Sequence, residues 1–222
     1  MIKAIFFDFD GVIVESVDIK TEAFARLFVP EGEETVKRVV DYHLGHMGES
    51  RFDKIRYIYK EILRKELTDD DFAMLCKRFE ALVFEAVVNA PSVNGAEEFF
   101  KGSFSKYMCF IVSATPQSEI VEIVRRRGLE GKFNAIFGAP LPKSDAVRQA
   151  LLENNIASGD AVYIGDAMSD YKAAKDNGVY FIARIYGDKK IFSGIDCLTI
   201  DDLSGLENML ALLSQKARRA LP

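Results

Sequence analysis

The run Ile5-Phe6-Phe7-Asp8-Phe9-Asp10-Gly11-Val12 sets two carboxylates inside an apolar stretch. Residues 2–9 read as a short strand, apolar on both faces and rich in Ile and Phe, which suits a central parallel strand covered on both sides. Such a strand is buried, and a buried carboxylate is costly unless its charge is compensated. Two carboxylates this close also repel each other. A metal cation resolves both problems, and hard oxygen ligands suit Mg²⁺. These ten residues therefore predict a metal-assisted site at a strand's carboxyl end.

More apolar runs follow, at Tyr107–Val112, Ala161–Ile164, Val179–Ile185 and, more weakly, Cys197–Ile200. Helical patterns lie between them. Thr115 is expected to cap a helix with Pro116 at its first position, with Ile120, Val121 and Val124 on one face and Gly128 at its end. Ser144 opens another helix, with Val147, Ala150 and Leu151 inward. Alternation of this kind predicts an α/β fold with a doubly wound parallel sheet.

Residues 17–89 break the alternation. Ser50 with Asp53 and Thr68 with Asp71 resemble capping boxes. Phe52, Ile55, Ile58, Tyr59, Ile62 and Leu63 recur at helical spacing, as do Phe72, Leu75, Phe79, Leu82, Val83, Ala86 and Val87. An all-helical insertion is expected there, between a core built from residues 1–16 and 90–222. His43 and His46 stand three apart, but without further His or Cys nearby they read as residues of the insertion's surface or substrate edge, not as a metal pair.

The chain has 222 residues and a net charge of −5, which argues against nucleic acid as a partner. Its basic clusters are Arg125-Arg126-Arg127, expected at an exposed helix end, and Arg218-Arg219. Cys76, Cys109 and Cys197 have no metal-type spacing and read as buried thiols of a reducing compartment. No segment has the apolar length of a membrane span, and Asp8 and Asp10 interrupt what a signal peptide would need. A cytoplasmic protein, monomer or homodimer, is expected.

Four features belong together: Asp8-x-Asp10-Gly11; Ser113 after Phe110-Ile111-Val112; Lys143 in Pro140-Leu141-Pro142-Lys143; and Gly165-Asp166-Ala167-Met168-Ser169-Asp170. Three follow clear strands, and Lys143 follows the short apolar stretch Ala135–Phe137. Ligands in open α/β sheets bind outside the carboxyl ends of strands, so all four can meet in one crevice. The residue types fit phosphoryl transfer. Lys143, Ser113 and backbone N–H groups supply charge and donors for phosphate oxygens, and Asp166 adds a metal carboxylate. One aspartate can attack phosphorus while another moves protons.

Taken in order, these motifs resemble the haloacid dehalogenase superfamily, in the phosphatase branch that carries a helical cap and includes phosphoglycolate phosphatases and β-phosphoglucomutases. The resemblance covers essentially the whole chain and places the helical cap domain at 17–89. It implies that Asp8 is the nucleophile, that Asp10 is the general acid and base, and that Ser113, Ala114 and Lys143 hold the phosphoryl group. It implies Mg²⁺ bound by Asp8, the backbone carbonyl of Asp10, and Asp166, with Asp170 orienting the metal site. Dehalogenases of the superfamily lack the second aspartate, so Asp10 points to a small soluble phosphate ester as substrate. Arg51, in Gly48-Glu49-Ser50-Arg51, matches a mutase arginine that grips a second phosphate, but Lys20 stands where the mutase has a histidine. Glu15 is expected at the substrate entrance. A Schiff-base lysine of the phosphonate-cleaving branch would have to be Lys20 or Lys54, and nothing in the sequence marks either as desolvated. The alternatives are a sugar-phosphate mutase and a non-catalytic binder of phosphorylated ligands.

Overall fold

In the computed structural model, which describes residues 1–185 and 189–219, a six-stranded sheet forms the centre of the molecule. Its strands are β1 (Ala4–Phe7), β2 (Met108–Pro116), β3 (Ala135–Ala139), β4 (Ala161–Gly165), β5 (Tyr180–Arg184) and β6 (Leu198–Ile200). The order is β3-β2-β1-β4-β5-β6, with every pair parallel. The chain order reverses at β1, which lies between β2 and β4, so this is the switch point where such sheets bind ligands.

β1 is buried along its whole length because both faces are covered. Ile5 and Phe7 point into one apolar cluster and Ala4 and Phe6 into another, as a period of two requires. The first cluster is shared with α5 (Ala96–Lys101), α6 (Gln117–Arg126) and α9 (Leu206–Arg219). The second is shared with α7 (Lys143–Glu153) and α8 (Met168–Asp176). The predicted doubly wound α/β fold is therefore present.

Between β1 and α5 the chain is helical: α1 (Val17–Leu27), α2 (Glu33–Gly45), α3 (Arg51–Tyr57) and α4 (Asp69–Asn89). Both capping signals hold. The Ser50 hydroxyl accepts from the Asp53 N–H at 3.2 Å, and that of Thr68 from the Asp71 N–H at 3.1 Å. α4 buries Leu75, Phe79, Val83 and Val87, whereas Ala86, expected inward, is exposed.

Other local expectations need correction. Thr115 is the penultimate residue of β2 and caps nothing; Pro116 is the cap position and α6 starts at Gln117. Val121 is exposed and Ile123 takes the inward place beside Ile120 and Val124. α7 begins at Lys143 itself, so Ser144 lies inside its first turn. Only Cys109 is fully buried; Cys76 and Cys197 are half-buried. Arg127 is not a free helix end: its guanidinium donates to the carbonyls of Val87, Val88 and Ala90 at 2.8–2.9 Å and to Ser92 Oγ at 3.1 Å. The side chains of Arg218 and Arg219 lie outside those described. Among the described residues no helix is long and apolar enough to cross a membrane.

Candidate active site

The sheet delivers its carboxylates to one place. Asp8 leaves the end of β1, Asp166 the end of β4, and Asp170 the first turn of α8. All three are buried, and each can place an oxygen within 4.8 Å of the others. Gly11 permits this crowding. Its φ is +75°, and a Cβ there would lie 2.2 Å from Asp166 Oδ2, so no other residue fits.

Lys143 bridges two of the carboxylates, with Nζ 3.0 Å from Asp8 Oδ2 and 2.7 Å from Asp170 Oδ1. Burial alone would lower its pKa, but Asp170 and Asp8 outweigh that and raise it, so the ammonium stays charged. One cation does not neutralise three carboxylates. Burial pushes Asp8 up to about 7 against the pull of Lys143, with Asp170 and Asp10 adding to the rise. Burial, then Asp8 and Asp170, raise Asp166 well above the carboxylate range. Asp170 is held by Lys143, by the Tyr163 hydroxyl at 2.9 Å and by the Ala167 N–H at 3.0 Å. The set is hard-oxygen, under-neutralised and crowded, which fits a divalent cation such as Mg²⁺.

Asp10 is held differently. It accepts from Ser16 Oγ at 2.7 Å and Thr115 Oγ1 at 3.2 Å, and it forms an ion pair with Lys20 of α1. Burial would raise its pKa, but Lys20, Ser16 and Thr115 together lower it. Its side chain is not among the three carboxylates that bring oxygens within 4.8 Å of one another. Lys20 also donates to Thr115 Oγ1 at 2.8 Å.

Above these groups lies a cavity with about 580 Å³ of empty space, part of it continuous with solvent. Asp8, Asp10, Ala114 and Asp166 form its floor; Lys20, His43, Arg51 and Lys54 line it from the helical segment. Ser113 and Lys143 line an adjoining cavity that shares Gly48, Glu49 and Ala114 with the first. Ser113 is buried and its hydroxyl accepts from the Thr115 N–H at 3.1 Å. Arg51 reaches the first cavity but is tied to Glu119 of α6 at 2.6 Å, with its guanidinium 4.6 Å from the Phe79 ring centre.

Glu15 takes part in neither cavity. Its carboxylate makes a two-pronged pair with Arg184, at 2.6 and 3.0 Å, and the same guanidinium holds the Gly11 carbonyl at 3.0 Å. Glu15 is thus turned to Arg184, beside the Gly11 loop, and lines neither of these two cavities. Lys54, read as unremarkable in the sequence, is 2 % exposed, and burial brings its pKa down to about 7. His43, expected at a surface or edge, is buried; His46 is exposed. His43 nonetheless lines the first cavity, as a substrate-edge position would, whereas nothing in the sequence assigned a place at the site to Lys54, Thr115 or Glu119. A signal for Lys54 exists: Arg51, Lys54, Ile55 and Ile58 fall at i, i+3, i+4 and i+7, so both cations lie on the buried face of α3.

A buried aspartate cluster thus sits at the switch point of a parallel α/β sheet. The model of the haloacid dehalogenase-like hydrolase family matches residues 5–184, and the chain belongs to that family. Among curated relatives it is 26 % identical over 190 residues to a phosphorylated carbohydrates phosphatase of Thermotoga maritima, covering 83 % of this chain and 84 % of the relative. It is 24 % identical over 195 residues to a phosphoglycolate phosphatase of Synechococcus elongatus, with the same coverage. Among solved structures, β-phosphoglucomutase from Clostridium difficile superposes with a TM-score of 0.77 at 17 % identity, over 97 % of this chain and 99 % of the other. That likeness is one of fold.

Proposed function

We propose that the protein is a Mg²⁺-dependent phosphatase that hydrolyses a small phosphorylated metabolite through an aspartyl-phosphate on Asp8. The observation that carries this reading is Asp8 itself, a buried carboxylate held by Lys143 on the floor of a cavity that also contains Asp10. The family membership and the two phosphatase relatives support the reaction class.

The residues divide the work. An Asp8 oxygen attacks phosphorus while the bond from phosphorus to the alcohol oxygen breaks, and Asp10 gives its proton to that oxygen. Asp10, now a carboxylate, takes a proton from water; the water oxygen attacks phosphorus, releasing inorganic phosphate and restoring Asp8. Lys143, the Ser113 hydroxyl and the Ala114 backbone hold the phosphoryl oxygens. Asp8, the Asp10 carbonyl, and Asp166 would hold Mg²⁺, with Asp170 steadying the set through Lys143. The ion would supply charge neutralisation for the phosphoryl group and the crowded carboxylates.

Residues 17–89 act as a cap over this floor, and the core consists of 1–16 and 90–222. The buried Arg51–Glu119 pair spans the two parts. Gly48 packs so close to the core that a Cβ there would lie 2.0 Å from Ser169 Oγ. A closed cap excludes bulk water and selects substrates by what it presents to the cavity.

The test is a panel of phosphorylated metabolites with Mg²⁺ and the wild-type chain, with Asp8→Asn as control. Release of inorganic phosphate by the wild type alone is expected. Isomerised sugar phosphate without phosphate release would point to a mutase, and binding without turnover to a non-catalytic protein.

A further inference from the structure

Among the described residues, every lysine and arginine that lines the first cavity has a carboxylate partner except one. Lys20 is paired with Asp10 and Arg51 with Glu119. Lys143, just beyond, is paired with Asp8 and Asp170. Lys54 has no carboxylate within ion-pair distance among the described residues. Its ammonium makes two hydrogen bonds, both to His43, with Nδ1 at 3.0 Å and the carbonyl oxygen at 3.5 Å, and lies 5.6 Å from the centre of the Phe24 ring. Burial, then Lys54 and Lys20, bring the His43 pKa down to about 3, so the ring is neutral and accepts at Nδ1. Glu49, exposed on the cavity wall, acts on Lys54 only from a distance.

A buried ammonium whose close partners are all neutral is a poor structural element, because two hydrogen bonds and an aromatic face offset only part of its lost hydration. Its place on a cavity wall supplies a reason for it. Lys54 and the Asp8 carboxylate line the same small cavity from opposite parts of the chain, one from α3 and one from the end of β1. A ligand whose phosphoryl group sits on Asp8 presents the rest of itself to the helical wall.

We propose that Lys54, positioned by His43, is the specificity-determining residue for a substrate that carries a second anionic group, a carboxylate or a second phosphate, on its alcohol portion. This inference rests on the phosphatase reading and adds the substrate's chemistry to it. The second anion makes a charge-assisted hydrogen bond to Lys54 in a site shielded from water, where such bonds are strongest. It also supplies the counter-charge that the protein withholds. Arg51 is not the primary candidate, because Glu119 already neutralises it. The depressed pKa of Lys54, about 7, agrees with an ammonium that lacks its partner until the substrate arrives.

The experiment uses the full chain with Mg²⁺ and two matched pairs of substrates. One pair is 2-phosphoglycolate and 2-hydroxyethyl phosphate; the other is fructose 1,6-bisphosphate and fructose 6-phosphate. The wild type is expected to favour the anionic member of one pair in kcat/KM by roughly tenfold or more, and the favoured pair tells carboxylate from phosphate. Lys54→Met should reduce that preference roughly tenfold, mainly through KM, and Lys54→Arg should restore part of it. A residue that only supports the fold would lower both members of a pair alike and leave their ratio unchanged. Should Lys54→Met fail to fold, Lys54→Gln carries the same comparison. Hydrolysis by the wild type without preference in either pair, or a preference that survives in the folded Lys54 variant, overturns the inference alone. No hydrolysis of any of the four, while the wild type releases phosphate from another, singly anionic member of the wider metabolite panel, also overturns the inference alone; no release from any member of that panel overturns the phosphatase reading and this inference with it.

Discussion

Lys20, from the first helix after β1, closes an ion pair on Asp10, while Lys143 closes one on Asp8, the other aspartate of that motif on the cavity floor. The floor thus carries two aspartates in opposite states of tune. Burial drives Asp8 up to about 7, whereas Lys20, with Ser16 and Thr115, holds Asp10 below the ordinary carboxylate value against the effect of burial. Held this way Asp10 is a carboxylate, ready to take a proton from water. To act as the acid it must have that hold weakened, and a phosphate ester bringing negative charge beside Lys20 competes for the lysine.

Lys20→Met tests that relationship. Without the ammonium, burial dominates and the Asp10 pKa rises. The step that needs Asp10 as a base is lost at low pH, so the acid limb of the kcat profile should move upward by about one unit or more. Phosphate release measured from pH 4 to 9 for both proteins decides the matter. An unmoved acid limb would show that Lys20 does not set the proton affinity of Asp10.

Asp8→Asn should lower kcat by at least roughly a thousandfold, the scale on which lost nucleophiles are felt. The amide cannot form an acyl phosphate, yet it is close in shape and can still accept from Lys143. It also removes one charge from three crowded carboxylates, so the metal-free variant should melt at or above the wild-type temperature. Turnover near wild type would sink the nucleophile assignment; a large fall in melting temperature would mean that the variant reports on folding.

The carboxylate cluster makes metal binding and pH one measurement. The pKa values of Asp8 and Asp166 are raised in the folded chain, so both prefer to be protonated there. Their contribution to stability is present below the ordinary carboxylate value and is lost as pH rises through about 7 for Asp8. Mg²⁺ binds the deprotonated set and competes with protons. The rise in melting temperature on adding Mg²⁺ to EDTA-treated protein should therefore be larger at pH 8 than at pH 5.5. EDTA should also silence hydrolysis, and Mg²⁺ should restore it. An equal or reversed pH dependence of the thermal shift would contradict the cluster as a metal site.

What could be read from the chain divides along physical lines. Asp8, Asp10, Ser113 and Asp166 stand at or just past the ends of apolar runs, Asp170 follows in the first turn of the next helix, and a parallel strand delivers its end to a known edge of the sheet. Their convergence follows from local pattern plus topology. Glu15 shows the limit of that logic: it is near the motif in sequence, but its direction is set by Arg184, 169 residues away. The burial of Lys54 and His43 was illegible for a related reason. A lysine on a short helix reads as solvated unless its neighbours at i−3, i+1 and i+4 are weighed together, and only the packing of α3 over the floor buries it. Thr115 was misread as a cap because β2 runs through to Pro116 before the helix begins.

Arg127 offers a prediction away from the chemistry. α4 ends at Asn89, and the chain then re-enters the core through Ala90-Pro91-Ser92. The last carbonyls of a helix lack intrahelical partners. Here the Arg127 guanidinium takes those of Val87 and Val88, and with them Ala90 and the Ser92 hydroxyl. One side chain just past the end of α6 thus holds the joint by which the helical segment is attached. Arg127→Met keeps the apolar stem and removes every donor, at a cost of about 2–4 kcal/mol for charge-assisted bonds to partly buried carbonyls. For a chain of this size that lowers the melting temperature by roughly 5–10 °C. Because α4 also carries Phe79 of the cavity wall, KM should rise more than kcat falls. Thermal denaturation and steady-state kinetics on the same preparation check both parts. A melting temperature within about 2 °C of wild type, too small for a loss of 1 kcal/mol, would show that water replaces the guanidinium without penalty and that the joint is held by the packing of Val87 and Ala90 alone.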